Sequence, residues 1–216
     1  MLTLYTFFRS SAAFRVRIAL NHKGIGFDPK YIWLIDGEQQ ADNYRLINPQ
    51  ALVPTLIDGE HTLNQSMAII EYLDETQPGP KLLPADPLGR ARVRSLSQYI
   101  ACEIHPVNNL RILKYLKNAM GMEQERIDTW YRHWCEVGLS SFEQQLDDGR
   151  SGLYCHGDAV SMADVCLVPQ IFNAKRFKVD LTPYPRTTAI CDRLLLLPAF
   201  DAAQPAKQPD AARATN

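Results

Sequence analysis

Ser10 and Ser11 stand between an aromatic and branched run at residues 2–8 and a segment with apolar positions at helical spacing, residues 14–20. A serine there caps a helix well, because its oxygen accepts a backbone N–H that the first turn leaves unpaired. The same placement offers a second chemistry: a hydroxyl donor and the positive end of a helix together would hold a bound thiolate. No evident histidine base accompanies these serines, so a serine-nucleophile hydrolase is not supported. Val53-Pro54 reads as a proline opening a strand, or as a cis bond that presents the Val53 backbone to a peptide-like ligand. Gln65-Ser66 reads as a second helix cap, or as a carboxylate site at a helix start.

The second half of the chain adds a polar cluster, Ile104-His105-Pro106-Val107-Asn108-Asn109-Leu110-Arg111. On a continuous helix His105 and Asn109 share a face, and Asn108 and Arg111 share a neighbouring one. Pro106 should kink that helix. A lone histidine there would read as ordinary polar surface; the kink and the clustering point instead to a cleft wall. Ser161 and Asp164 have capping-box spacing and read as structural. Arg176 follows a helical segment, and by itself reads as a solvated charge.

These residues need elements to position them. Strands are expected over residues 2–8, 30–34, 53–57 and 61–63, with Asp58-Gly59 as a two-residue hairpin turn. Helices are expected over 14–20, 39–46 and 66–73. The order β-α-β-α-β-β-α is an α/β domain over residues 1–80. Pro78, Pro80, Pro84 and Pro87 mark a linker. Residues 88–202 are helix-patterned, with helices expected over 88–116, 124–146, 162–174 and 187–196, giving an all-α domain. Residues 203–216 lack a hydrophobic period and are expected to form a flexible tail.

Composition excludes several classes. With 216 residues, 46% hydrophobic, the chain can fill the cores of two compact domains. A formal net charge of -1 gives no general pull toward nucleic acid or membrane, so any charge chemistry is local. Five cysteines, an odd number without a CxxC pair, fit reduced thiols in a cytoplasmic protein better than disulfides or a metal site. No signal peptide or membrane span is legible.

The residues also match a family. Phe8-Arg9-Ser10-Ser11, Arg15 to Leu20, Asn48-Pro49-Gln50, Val53-Pro54-Thr55-Leu56, Gln65-Ser66, Ala68 to Leu73 and Arg176 to Pro185 resemble the zeta class of cytosolic glutathione transferases. That class includes maleylacetoacetate and maleylpyruvate isomerases. The resemblance implies a thioredoxin-like glutathione-binding domain, a helical substrate domain, and a homodimer. It implies glutathione as cofactor and cis–trans isomerisation of a small anionic maleyl-type keto acid. The expected reaction is maleylacetoacetate to fumarylacetoacetate. Maleylpyruvate is the alternative substrate, and transferase chemistry on small electrophiles such as α-halo acids a further one. From another class, a non-catalytic interaction protein would be expected to have lost the thiolate site, and here its residues are intact.

The resemblance also assigns residues. Ser10 and Ser11 fall to the thiolate, with Gln40, Val53, Pro54, Gln65, Ser66, His105 and Asn109 around the rest of glutathione. Arg9, Arg111 and Arg176 are implied for substrate binding, with Arg176 also catalytic, since a guanidinium pairs with carboxylates in bidentate fashion. One departure stands out: where the class often has a loop cysteine, this chain has Ala12. Any role for an enzyme thiol there is lost, whereas chemistry in which glutathione supplies the sulfur is untouched.

Overall fold

A computed structural model describes residues 1–214 and divides the chain into two compact units. One comprises Met1–Lys81 together with the chain from Leu196 onward; the other is Leu82–Leu195.

The first unit contains β1 (Leu2–Thr6), α1 (Ser11–His22), β2 (Phe27–Tyr31), α2 (Asp42–Ile47), β3 (Thr55–Asp58), β4 (His61–Asn64) and α3 (Ser66–Thr76). The sheet order is β2-β1-β3-β4; β1 pairs with β2 in parallel, and the other two pairs are antiparallel. This is the expected thioredoxin-like arrangement. Strand β2 begins three residues before its expected start and contains Pro29. As an edge strand it can spare the missing N–H, so the proline does not end it. The hairpin turn also shifts by one residue. Asp58 pairs with His61, leaving Gly59-Glu60 as the connection, and Gly59 supplies a φ of 58°. The core is apolar on the inner faces of α1 and α3: Phe14, Ile18, Leu20, Ile69, Ile70 and Leu73 are all buried, as are Leu4 and Leu56 from the sheet.

The end of the chain departs from the expected flexible tail. Helix α10 (Pro198–Ala203, numbered after the helices of the second unit) packs on α1, and two 3₁₀ turns follow, Pro205–Lys207 and Pro209–Ala214. Phe200, Ala203 and Pro205 are buried, and Asn21 donates to the Ala199 carbonyl. The segment lacks α-helical periodicity because most of it is short 3₁₀ helix, whose three-residue turn does not follow the 3.6-residue period. It is anchored residue by residue, a pattern that hydrophobic spacing does not report. Residues 215–216 of the expected tail lie outside the described residues.

The second unit holds α4 (Pro87–Gln98), a π-helical stretch (Tyr99–Ile104), α5 (a single turn, His105–Val107), α6 (Leu110–Asn118), α7 (Gln124–Gln145), α8 (Met162–Arg176) and α9 (Pro185–Leu195). Helix α8 is almost entirely buried and packs against α4 and α9. Gly138 on α7 lets that helix lie close to the π-helical stretch, since a Cβ there would strike the Ile104 side chain. The Ser161–Asp164 capping box is present: the buried Asp164 carboxylate accepts from Ser161 N and Oγ, each at 2.7 Å, and from Cys155 N at 2.9 Å. The expected helix over 88–116 is interrupted. Asn108 has left helical geometry, and Asn109 starts a new helix by accepting from Arg111 N at 3.1 Å.

Candidate active site

Strand register decides where the first unit's candidates meet. Tyr5 lies opposite Thr55, and Thr55 opposite Asn64; Thr6 lies opposite Tyr31. The loop leaving β1, the residues entering β3, the residues leaving β4 and the loop leaving β2 therefore open at one end of the sheet. Those four places carry Arg9-Ser10-Ser11, Val53-Pro54, Gln65-Ser66 and Gln40.

An aromatic cluster fixes this end. Phe7, Phe8, Trp33, Tyr44 and Val53 pack together, with Phe8 stacked on Trp33 at 5.7 Å and Phe7 edge-on to it at 5.2 Å. Burial of each large ring contributes roughly 1.5–3 kcal/mol, so the loops around it are well supported. The Tyr44 hydroxyl donates to the Leu52 carbonyl at 2.6 Å, and Asn48 donates to the same carbonyl and to Thr55 Oγ1. These bonds hold the approach to Val53-Pro54. The peptide bond between Val53 and Pro54 is cis, as expected.

Ser10 is the N-cap of α1; its Oγ accepts from Ala13 N at 3.2 Å. Capping occupies an acceptor lone pair and leaves the O–H proton to donate, so the structural and chemical roles are compatible. Ser10 is partly exposed, whereas Ser11, the first helical residue, is buried. Arg9 lies with its guanidinium carbon 5.0 Å from the Phe8 ring centroid.

Gln65 precedes α3 with φ 70° and ψ 118°, a conformation that costs a non-glycine residue roughly 1–3 kcal/mol and tends to persist at functional sites. Its amide donates to Gln50 Oε1 at 2.7 Å. Ser66 is buried at the helix start, and Arg15 from α1 donates to its Oγ at 3.3 Å. Arg15 is 1% exposed and brings a full positive charge beneath the start of α3, reinforcing the helix dipole for an anion. Sequence reasoning passed over Arg15 as a site residue; its signal was an arginine inside the buried run Phe14 to Leu20. Gln40 is the exposed last residue of a half-buried 3₁₀ turn, Glu38–Gln40.

In the second unit, the break before α6 removes the geometry that placed His105 and Asn109 on one continuous helix face. His105 belongs to the single turn α5, and Asn109 is a cap. Asn108 is buried and donates to the Tyr131 carbonyl, a structural bond that overturns its reading as cleft wall. Arg111 is exposed in the first turn of α6, where a cation opposes the helix dipole and is not there to stabilise the helix. Arg176 is the exposed last residue of α8, its guanidinium carbon 4.9 Å from the Phe177 ring centroid. It lines a pocket of ≈ 290 Å³ with Gln124, Asp128, Arg132, Phe177 and Lys178.

All five cysteines are free. Burial pushes the Cys135 and Cys191 thiols up to about 12 and holds Cys155 well above its ordinary value. Those three stay protonated near neutrality and are poor nucleophiles. Among the described residues no cluster of His, Cys, Asp and Glu could hold a metal ion, and no helix is long and apolar enough to cross a membrane.

Residues 4–81 match the family described as "Glutathione S-transferase, N-terminal domain". The chain is 49% identical over 212 residues to a probable maleylacetoacetate isomerase of Vibrio cholerae, covering 97% of this chain and 98% of that one. It superposes with a TM-score of 0.95 and 45% identity on the holo structure of a bacterial zeta-class maleylpyruvate isomerase, covering 97% of this chain and 99% of the other. A maleylacetoacetate isomerase of Methylobacterium extorquens AM1, solved with malonate and glutathione bound, gives a TM-score of 0.95 at 41% identity, with 97% and 99% covered. The chain belongs to the zeta class of glutathione transferases, among the maleylacetoacetate and maleylpyruvate isomerases.

Proposed function

We propose that this protein is a glutathione-dependent cis–trans isomerase that converts maleylacetoacetate to fumarylacetoacetate. The observation that carries the reading is the convergence of Ser10, Val53-Pro54 and Gln65-Ser66 at one end of the sheet, beside a buried arginine at the start of α3. Relatives of both kinds match nearly the whole chain, so maleylpyruvate, which presents the same cis enone acid, is the second substrate to test.

The residues fit the cofactor. The start of α3, with Ser66 over Arg15, suits a carboxylate of a small peptide. Val53 offers its backbone to the peptide itself, in the manner of an added strand. Gln40 and Gln65 add amide donors and acceptors, and His105 and Asn109 are assigned to the same ligand. Bound glutathione supplies the sulfur that adds to the double bond, permits rotation, and leaves again unconsumed. Ser10, with the N-terminus of α1, favours the ionised form of that sulfur. Arg9, Arg111 and Arg176 neutralise the substrate carboxylates and the charge that develops during reaction. A dianion can thus be taken up by a protein of net charge -1, because the positive charge is local. The reading also includes a homodimer in the cytoplasm.

The test is turnover with glutathione far below substrate. Many turnovers with the thiol recovered are expected on maleylacetoacetate, with maleylpyruvate run in parallel. Stoichiometric consumption of thiol, or halide release from α-halo acids as the dominant activity, would replace isomerisation with transferase chemistry.

A further inference from the structure

The end of the chain reaches the loop that carries Ser10. In the second 3₁₀ turn, Asp210 is 8% exposed, and its Oδ2 accepts the Phe8 N–H at 2.8 Å. Phe8 is two residues before Ser10. The peptide groups on either side are held as well. Ser10 N donates to the Phe7 carbonyl at 3.0 Å, and buried Arg17 donates to the Phe7 and Phe8 carbonyls at 3.3 and 2.9 Å. Arg17 also donates to the Ala203 carbonyl, tying the end of α10 in the same C-terminal segment to α1.

A second anchor lies three residues after Asp210: Arg213 pairs with Glu38 Oε1 at 2.9 Å and Asp36 at 3.4 Å, with its guanidinium carbon 4.7 Å from the Trp33 ring centroid. The other Glu38 oxygen accepts the Trp33 N–H at 2.6 Å. Glu38 opens the turn that ends at Gln40. The C-terminal segment therefore holds two of the loops assigned above to glutathione: one through a buried carboxylate, the other through an exposed ion pair.

We propose that residues 198–214 form a strap that positions the glutathione site, with Asp210 setting the Phe8-Arg9-Ser10 loop and Arg213 setting the turn that bears Gln40. Asp210 and Arg213 are positioning residues, and the proposal rests on the assignment of Ser10 and Gln40 to glutathione. The two contacts differ in weight. Asp210 is buried and makes a charge-assisted bond to a backbone donor, whereas an exposed pair such as Arg213–Glu38 is screened by water and salt.

The test uses the full chain with Asp210→Ala, Asp210→Asn and Arg213→Ala, at a temperature where each is folded. Three quantities are read: glutathione affinity, the pH titration of the bound thiol, and amide hydrogen exchange from Phe8 through Ser11. In Asp210→Ala, exchange in that stretch should accelerate, the thiol should titrate at higher pH, and affinity should fall about 10-fold, the scale of a misplaced site. Asp210→Asn keeps an oxygen for the Phe8 N–H and should restore most of the loss. Arg213→Ala should weaken affinity about 2- to 3-fold, as for an exposed ion pair, and leave the thiol titration unmoved. If Asp210→Ala lowers only the melting temperature, with affinity and titration unchanged, the strap is structural alone and the proposal is wrong. If the wild-type protein itself neither binds glutathione nor depresses its thiol, the functional reading fails, and the proposal falls with it.

Discussion

At the scale of single residues, the two serines illustrate how a cap and a catalytic group can share one atom. Ser10 Oγ accepts from Ala13 N, yet its proton remains available to a thiolate in front of α1. Ser11 is buried, which makes Ser10 the better donor to a bound ligand. Ser10→Ala should raise the pH at which bound glutathione ionises, read by thiolate absorbance, and Ser11→Ala should do so much less. Equal shifts in both would refute the distinction; no shift in either would remove serine from the mechanism. The arginines are the second case. Arg176→Ala should lower isomerase kcat/KM by roughly 10- to 1000-fold, the loss of a charge-assisted bond or somewhat more. Lysine there should recover only part, lacking the planar fork. Glutathione affinity should change far less than activity; a parallel loss of both would move Arg176 to the cofactor site. Ser10, Val53-Pro54 and Gln65-Ser66 were legible in sequence because a cap or a proline sits beside a recognisable element boundary. Arg15 and Asp210 were not, because their importance lies in a partner 51 or 202 residues away.

At the scale of elements, local signals read well where one physical cause dominated. Residues 124–146 were expected to be helical, and α7 spans Gln124–Gln145, because its hydrophobic period is uninterrupted. The capping box before α8 was read correctly from Ser161 and Asp164 alone. Errors came where two causes compete. A proline suggested a kink near residue 106, but the helix runs on through the π-helical stretch to Val107 and ends outright at the polar pair Asn108-Asn109. A partner invisible to local pattern also ties α4 to the end of α7. Arg92 donates to Asp148 through Nε and Nη2 at 2.6 and 2.8 Å, and to the Cys155 carbonyl at 2.7 Å. The Arg92 side chain is 8% exposed. Removing the guanidinium would strand the buried Cys155 carbonyl, while the part-exposed Asp148 carboxylate can turn to water, so Arg92→Met should destabilise by about 1–3 kcal/mol in urea titration. The Arg92 hydrogen bonds, helped by the Arg150 N–H, hold the Asp148 carboxyl below its ordinary value. A depressed acid contributes stability above its unfolded value near pH 4 and loses it as pH falls through the lower, folded value. Melting temperature should therefore fall less steeply below about pH 4 in Asp148→Asn than in the wild type. Since 37% of the Asp148 side chain is exposed, added salt should narrow that difference. Identical acid limbs would refute the assignment.

At the scale of the whole molecule, the prolines at residues 78–87 suggest a linker, and the division of the chain into two compact units falls between Lys81 and Leu82. The first unit, however, is discontinuous in sequence. Residues 1–80 look self-sufficient by pattern, and the family match likewise ends at residue 81. Yet α1 is completed by a segment from the far end of the chain. Phe200 is fully buried, and Arg17 gives two of its bonds to the Ala203 carbonyl. Without that segment Arg17, whose pKa burial lowers to about 10, would face water beside exposed core surface. Losing one buried phenylalanine costs roughly 1.5–3 kcal/mol, and each stranded hydrogen-bonding group adds about 1 kcal/mol or more. Against a typical stability of about 5–15 kcal/mol for a whole domain, that is a large fraction. A fragment of residues 1–81 should therefore unfold at distinctly lower urea than the same fragment with residues 196–216 fused through a flexible linker. Far-ultraviolet circular dichroism during titration would read both. The fused form carrying Phe200→Ala should fall most of the way back toward the bare fragment. If 1–81 alone matches the fused form, the C-terminal segment contributes nothing to the first unit's stability, and the sequence-based boundary at residue 80 describes a folding unit after all.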